Sequence, residues 1–536
     1  MDHQQTDRFQ FIGQDIPWLL RHWAEVQPEK PFLIWEPRDG AARTWTYGEF
    51  WQDVQRVAAG LSARGVGVGD KILLHSENSP EMVISWYACA TVGAVAVTTN
   101  TRSVGAEIAF FVEKARCTGA ITQPRFATLV AESAPQLRWV VVTADNSGEP
   151  ATPEESDHGL DSFDTLLGAV EDAPRRSPDP MAPAGILFTS GTTSKPKAVV
   201  HTHANALWAS RAGPINISLH PEDTYLVFLP FFHVNAQGWS VWSVLGVGAT
   251  VVLQPKFSSS RFWEVVTCHQ VTHISLLPFV FKAVAGQEIP ESSLRVGVFG
   301  LVMPDLAAWL GIDIVPAWGM TETVTHAIST VAWRDTPAGS MGRPVAGYEA
   351  IVVDRESGEL CTDGRPGELW VRGTRGIQLF LEYYDNPEAM AKSFTPEGWF
   401  KTGDVVRVDE HGSFIFCDRD SDMLKVGGEN VSAHEVEDAC RKVPGIAEVA
   451  VVGRSHPMLD EVPVAFVIRT PPTPGEDRPT DDALGAAIME LCAAHLADFK
   501  VPRAVHVVDE LPRATLDKVA KNQLRELADR LAPEGA

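Results

Sequence analysis

Between residues 44 and 180 the sequence alternates two hydrophobic rhythms. "YGEFWQDVQRVAAGLSARG" (47–65) carries apolar residues at helical spacing and stops at Gly65. "DKILLHS" (70–76) is a short apolar run, and "PEMVISWYACATVGAVAVTTN" (80–100) reads as helix, glycine break and strand. Helical segments interleaved with short apolar runs need crossover connections, so the pattern predicts an α/β fold with a parallel sheet. The alternation resumes from 185 to about 335, where "TYLVFLP", "GATVVLQ", "THISLLP" and "LRVGVFG" are candidate buried strands. From about 340 to 416 the texture changes. "YEAIVVD", "GELWVRG" and "FIFCD" are short strands between Gly and Asp turns, which predicts a small β-barrel. After "DRDSDMLKVGGENVS" (418–432) a smaller α+β pattern runs to the end.

At 536 residues the chain is too long for one core. The expected division is a large N-terminal domain over 1–420, followed by a small, mobile α+β domain over 421–536. The large domain would hold α/β subdomains at about 1–180 and 181–340 and the barrel at 341–420. Charge narrows the partners. With 45 Lys and Arg against 69 Asp and Glu, the formal net charge is −24, which argues against a nucleic-acid backbone as ligand. No apolar run approaches the ~18–20 residues of a membrane span. The start is polar and acidic where a secretion signal is basic and then apolar. Seven scattered cysteines without a CxxC pair suit a reducing compartment, so a cytoplasmic location is expected.

The chemistry concentrates first in "LFTSGTTSKPKAVVHTH" (187–203). An apolar run ends in Thr189, Ser190, Gly191, Thr192 and Thr193, followed by Lys195 and Lys197. The spacing is not that of a Walker A loop. Bare backbone, hydroxyls and two lysines can nevertheless surround phosphate oxygens. Read alone, the same loop is also a solvated turn with two surface lysines.

Four further motifs follow in order: "AWGMTET" (317–323), "GWFKTGDVVRVDEHG" (398–412), "CDRDSDMLKVGGENVSAHEVE" (417–437) and "LPRATLDKVAKNQL" (511–524). Together with the loop they resemble the adenylate-forming superfamily of acyl-CoA synthetases, amino-acid adenylation domains and beetle luciferases. "TSGTTSKPK", "GENVS" and the final "FKVP" are nearest to the carnitine/crotonobetaine-CoA ligase-like branch. The resemblance implies a two-step ligase. A carboxylate attacks the α-phosphorus of ATP to give acyl-AMP and pyrophosphate, and the thiol of coenzyme A then displaces AMP. Mg²⁺ would arrive with ATP.

The resemblance also implies roles. The loop and its lysines would shield the β- and γ-phosphates. In "WGMTE", Thr321 would bond the α-phosphate and Glu322 would hold Mg²⁺, while Trp318, Gly319 and Met320 line the nucleotide. Asp404 would accept both ribose hydroxyls, with Arg419 beside it. Lys518 would bridge carboxylate and α-phosphate, although "LDK" stands where relatives write Ser/Thr-Gly-Lys, and Lys521 is nearby. His233 would gate the pantetheine tunnel, which Lys425, Gly427 and Gly428 would line. Ser421 would be the hinge of the small domain. The acyl pocket would be formed by His233, Asn235, Trp239, Gly300, Leu301, Val302 and Trp318.

That pocket is apolar and aromatic in sequence, which predicts a bulky apolar acid. A quaternary ammonium against Trp239 or Trp242 is the other reading. "FGLVM" (299–303), with Ser194 and Ala198, departs from the resemblance at the adenine wall and the loop. A ligase that accepts only preformed acyl-adenylate therefore stays open, as does a nucleotide-binding protein without catalysis. Whether the chain is a monomer or a homodimer is not written in the sequence.

Overall fold

The computed structural model describes residues 9–189, 196–330, 336–355, 357–419, 423–470, 479–512 and 519–532. The first rhythm folds as its periods dictate. Helix Tyr47–Ala63 starts at a capping box between Thr46 and Glu49. Helix Pro80–Val92 starts on the Ser79 hydroxyl and ends at Gly93, whose φ of 89° an L side chain rarely adopts. Between and after them, Lys71–His75 and Val95–Thr98 pair in parallel.

These strands belong to an eight-stranded sheet. Its order is Glu382–Tyr383, Lys197–Thr202, Pro183–Thr189, Val95–Thr98, Lys71–His75, Gly119–Thr122, Val140–Val142 and Asp161–Ser162. A second ladder carries Thr224–Val227, Thr250–Leu253, His273–Ser275, Val296–Phe299 and Asp313–Trp318, all in parallel register. Strand Pro31–Trp35 joins this second ladder beside Thr250–Leu253, so the two sheets exchange strands across residue 180. Between the sheets lie helices Pro80–Val92 and His203–Ile217. Their residues share one apolar cluster with Ile72, Leu74 and Ala96 of one sheet and Val227, Val251 and Val298 of the other. Sandwiched helices are apolar all round, which is why Pro80–Val92 buries every residue except Glu81.

The expected barrel does not close among the described strands. Strands Glu349–Val353, Gly367–Arg372, Phe400–Val408, Phe414–Arg419 and Ser340–Pro344 pair antiparallel in that order. The last of them passes the ladder through Ile328–Ser329 to Asp313–Trp318. The hand-over needs Gly342: its φ is 95°, and a Cβ there would collide with the Ser329 carbonyl.

The C-terminal part is a separate five-stranded sheet, Glu429–Ser432, Met423–Val426, Asp460–Arg469 and Ile446–His456, with Ala504–Val507 beside Asp460–Arg469. Helices Ala433–Cys440 and Asp481–His495 cover one face around their own apolar cluster. There two cysteines far apart in sequence meet: Cys440 and Cys492 have sulfurs 3.8 Å apart. No described helix is long and apolar enough to cross a membrane.

Candidate active site

Strands Pro183–Thr189 and Lys197–Thr202 run antiparallel, and their ladder ends with Thr189 opposite Lys197, on either side of residues 190–195. Ser190, Gly191, Thr192, Thr193 and Lys195 of that loop lie outside the described residues, as do Ser421 and Lys518. Lys197 is described. Its ammonium sits 4.7 Å from the ring centre of Tyr383. Burial pushes its pKa below the ordinary lysine value, and the Glu322 charge opposes that shift.

Tyr383 was not foreseen. It comes from the two-residue strand Glu382–Tyr383 that extends the eight-stranded sheet beyond Lys197–Thr202. Its hydroxyl donates to Glu322 Oε1 at 2.8 Å. Burial, then the adjacent Glu322 charge, raises the phenol well above its usual range, so it stays a donor. Glu322 is only 4% exposed. A carboxylate oriented in this way beside a lysine offers the hard oxygen ligand that Mg²⁺ takes together with phosphates, so the donor set fits that ion.

Thr321 and Glu322 lie in a short 3-10 turn, Thr321–Thr323, which Gly319 and Met320 separate from strand Asp313–Trp318. The turn is fixed from both sides. His201, kept neutral by burial with its pKa lowered to about 4, donates from Nε2 to the Thr321 carbonyl at 2.7 Å. Beyond it, Val324 takes φ 66° and ψ −50°, with the Thr325 amide 2.6 Å from the Thr323 carbonyl. That is a classic γ-turn, rare and strained for a β-branched residue. Gly238 makes room for it, since a Cβ there would sit 2.5 Å from the Val324 carbonyl.

The indole Nε1 of Trp318 donates to Asp404 Oδ2 at 2.8 Å, and both residues are buried. Asp404 stands opposite Arg419 in the antiparallel pairing of their strands. The Arg419 side chain is outside the described residues. Leu301 and Met320 pack against the apolar cluster that contains Trp318. The Val302 amide bonds the Ser340 carbonyl, while a Cβ on Gly300 would meet nothing within 4 Å.

The His233 side chain is 40% accessible. Its Nε2 lies 3.1 Å from both oxygens of Glu429. Glu429 opens the strand after Gly427 and Gly428, so the C-terminal part meets the large domain at His233. The two glycines join Val426 to its partner Glu429 in a two-residue hairpin, with φ of 61° and 89°. Positive φ at both positions is the signature of a type I′ turn. The tip docks on the large domain, because a Cβ on Gly428 would be 3.2 Å from Leu277 Cδ1. Lys425 stands one strand residue before the turn, its ammonium 5.6 Å from the Phe416 ring centre.

Asn235 and Trp239 line the segment Asn235–Val241, which is a π-helix. Trp242 does not join them. It is fully buried, with Trp86 5.5 Å and His201 6.1 Å away between ring centres, so it offers no ligand surface.

The sequence profile of the AMP-binding enzyme family matches residues 20–384, and that of the AMP-binding enzyme C-terminal domain matches 435–518. A crotonobetaine/carnitine–CoA ligase of Salmonella heidelberg (strain SL476) is 32% identical, covering 96% of this chain and 99% of its own. Among solved structures, a double mutant of o-succinylbenzoate CoA synthetase from Bacillus subtilis, bound with its product analogue OSB-NCoA, superposes with a TM-score of 0.78. It has 26% identity and covers 96% of this chain and 99% of its own. The same enzyme in complex with its acyl-adenylate intermediate OSB-AMP gives 0.65 at 26% identity, covering 96% and 98%.

Proposed function

The chain belongs to the AMP-binding enzyme family, and from that premise we propose how its residues divide the work of an adenylate-forming acyl-CoA ligase. Such an enzyme uses ATP, Mg²⁺ and coenzyme A. In the first half-reaction a carboxylate oxygen attacks the α-phosphorus, the bond to the β-phosphate oxygen breaks, and pyrophosphate leaves. Asp404 receives the ribose hydroxyls on the oxygen capacity that Trp318 leaves open, since an ionised carboxylate accepts several donors. Thr321 holds the α-phosphate. Glu322, oriented by Tyr383, would hold Mg²⁺, which would supply charge neutralisation at the phosphates. Lys197 and the loop 190–195 carry the outer phosphates. Lys518 bridges the carboxylate and the α-phosphate as charge builds up.

In the second half-reaction the thiol attacks the acyl carbon and the bond to AMP breaks. The observation that carries this reading is the contact between His233 and Glu429, which brings the Gly427–Gly428 hairpin to the large domain at His233. The higher TM-score with the product-analogue complex than with the acyl-adenylate complex of the same enzyme supports a thioester-forming pose. We infer that residues 421–536 move as a body about Ser421, that adenylation is retained, and that the enzyme works in the cytoplasm.

The test follows pyrophosphate, AMP and thioester separately. Lys518→Ala should lower acyl-AMP formation by ~100-fold or more while still converting supplied acyl-adenylate to thioester. Equal loss in both steps by a folded variant refutes the division.

A further inference from the structure

In the C-terminal sheet, one buried carboxylate ties together helices that lie on opposite faces. Strand Ile446–His456 stands at the edge of that sheet among the described strands. Its side chains alternate between the two faces. Val449 and Val451 pack with helices Ala433–Cys440 and Asp481–His495. Ala450 and Val452 pack on the other face with Leu511, Leu524 and Ala528. Helix Lys521–Arg530 therefore lies across the sheet from helix Ala433–Cys440. Glu437 joins the two helices around the sheet edge, and it is only 2% exposed. Its Oε1 accepts from the Val451 amide at 2.9 Å and lies 2.9 Å from the Lys521 ammonium. Its Oε2 lies 3.0 Å from His434 Nδ1 and 3.3 Å from an Arg441 guanidinium nitrogen.

Lys521 is the first residue of its helix, where the positive end of the backbone dipole disfavours a cation. Glu437 offsets that penalty, so a tertiary partner rather than the helix itself accounts for a lysine here. The residues before it close a loop. The Ala520 amide donates to the Pro512 carbonyl at 2.7 Å, and Leu511 and Leu524 on either side are buried in one cluster. In sequence, Lys518 precedes the closing amide by two residues and the tethered ammonium by three. On its other side, Glu437 lies on the helix that follows strand Glu429–Ser432, which itself follows the Gly427–Gly428 turn. The same carboxylate thus links the edge that meets His233 to the base of the segment that carries Lys518.

We propose that Lys521 and Glu437 are a positioning pair for Lys518. Their ion pair fixes the start of the terminal helix, and so sets where the Lys518 ammonium is delivered during adenylation. Lys521 itself does not touch substrate. This rests on the ligase reading above, in which Lys518 serves the first half-reaction. A small misplacement of a group that stabilises transition-state charge lowers the rate with little effect on ground-state binding. With Lys521 replaced, Glu437 keeps His434, Arg441 and the Val451 amide, so the sheet edge holds while the helix end loses its tether.

The experiment uses full-length protein carrying Lys521→Met, Lys521→Arg or Lys518→Ala, and Lys521→Met in the Lys518→Ala background. Acyl-AMP formation and thioester formation from supplied acyl-adenylate are measured separately. Lys521→Met should lower kcat for acyl-AMP by about tenfold or more, with KM for ATP and acid within about twofold. Its thioester step should stay near wild type, which also shows that the domain is folded. Lys521→Arg, which keeps the ion pair, should restore acyl-AMP formation. In the Lys518→Ala background, Lys521→Met should cost nothing further, because a positioning residue acts only through the residue it places. Should Lys521→Met not fold, Lys521→Gln is read by the same criteria. Equal loss of both half-reactions, undiminished acyl-AMP formation, or a loss that adds to that of Lys518→Ala overturns the proposal and leaves the ligase function standing. If Lys518→Ala forms acyl-AMP at the wild-type rate, the role of Lys518 in the first half-reaction fails, and the proposal fails with it.

Discussion

His233 and Glu429 titrate as a pair across two domains. Burial pulls the imidazole down, but the Glu429 charge and hydrogen bond outweigh it and raise the pKa above the ordinary value. Burial pushes Glu429 up, and the His233 charge and bond hold it below the usual carboxylate range. The His233 contribution is therefore complete below its ordinary pKa of about 6.5 and is lost as pH rises through the raised value. The Glu429 contribution is lost only in acid. Thioester formation from supplied acyl-adenylate should decline on the alkaline side, and Glu429→Gln should move that decline to lower pH. An unmoved limb in the variant's pH profile would count against the pairing. At this scale the sequence exposed residues whose chemistry sits inside an ordered motif. Trp318 and Asp404 touch, and Glu322 lies in the turn four residues after Trp318. It hid those that act from a distance in the chain. Tyr383 reaches Glu322 across 61 residues, and His201 reaches Thr321 across 120, with no local pattern to announce either.

Among elements, the Gly427–Gly428 hairpin shows one composition serving two needs. Both glycines have the positive φ of a type I′ turn, and Gly428 also touches Leu277 of the large domain. Gly428→Leu should strain the turn and push the tip away from its seat. Acyl-AMP should still accumulate while its discharge by coenzyme A slows by about tenfold or more, roughly what a 1.4 kcal/mol loss gives. Normal thioester formation from isolated acyl-adenylate in this variant would exclude the assignment. The alternating helix and strand rhythm was readable because each period reports which faces are buried, and the glycine break at Gly93 fell where the helix stops. The barrel was misjudged because short antiparallel strands between turns look alike whether the ladder closes or runs on. What decides it is Gly342, a single bulged position that lets the ladder pass to the core sheet. The π-helix at 235–241 was unreadable too. Its wide turn matches neither period, so the apolar content of "FFHVNAQGWSVW" (231–242) carries no register there.

Across the whole molecule, the described pose is held by charges that bridge the domains. Lys500 is 7% exposed, and its ammonium lies 2.5 Å from Glu107 of the large domain and 2.9 Å from Glu435 of its own. Arg102 meets both oxygens of Asp498, and Lys282 meets Asp460. Removing one member of a buried ionic group costs about 3–5 kcal/mol, because the others stay buried and unpaired. Lys500→Met leaves two carboxylates facing each other across the interface, so it should disfavour this pose. Conversion of supplied acyl-adenylate to thioester should fall by at least about tenfold, with acyl-AMP formation less affected and Lys500→Arg closer to wild type. Equal loss in both half-reactions would mean that Lys500 only stabilises the fold. The central claim is that one chain both makes and spends the acyl-adenylate. The most direct measurement is exchange of labelled pyrophosphate into ATP, without coenzyme A, in the presence and absence of the preferred acid. Label should enter ATP only when the acid is present, and Lys518→Ala should suppress it by ~100-fold or more. Wild-type protein that shows no exchange, yet turns supplied acyl-adenylate into thioester, would contradict the account.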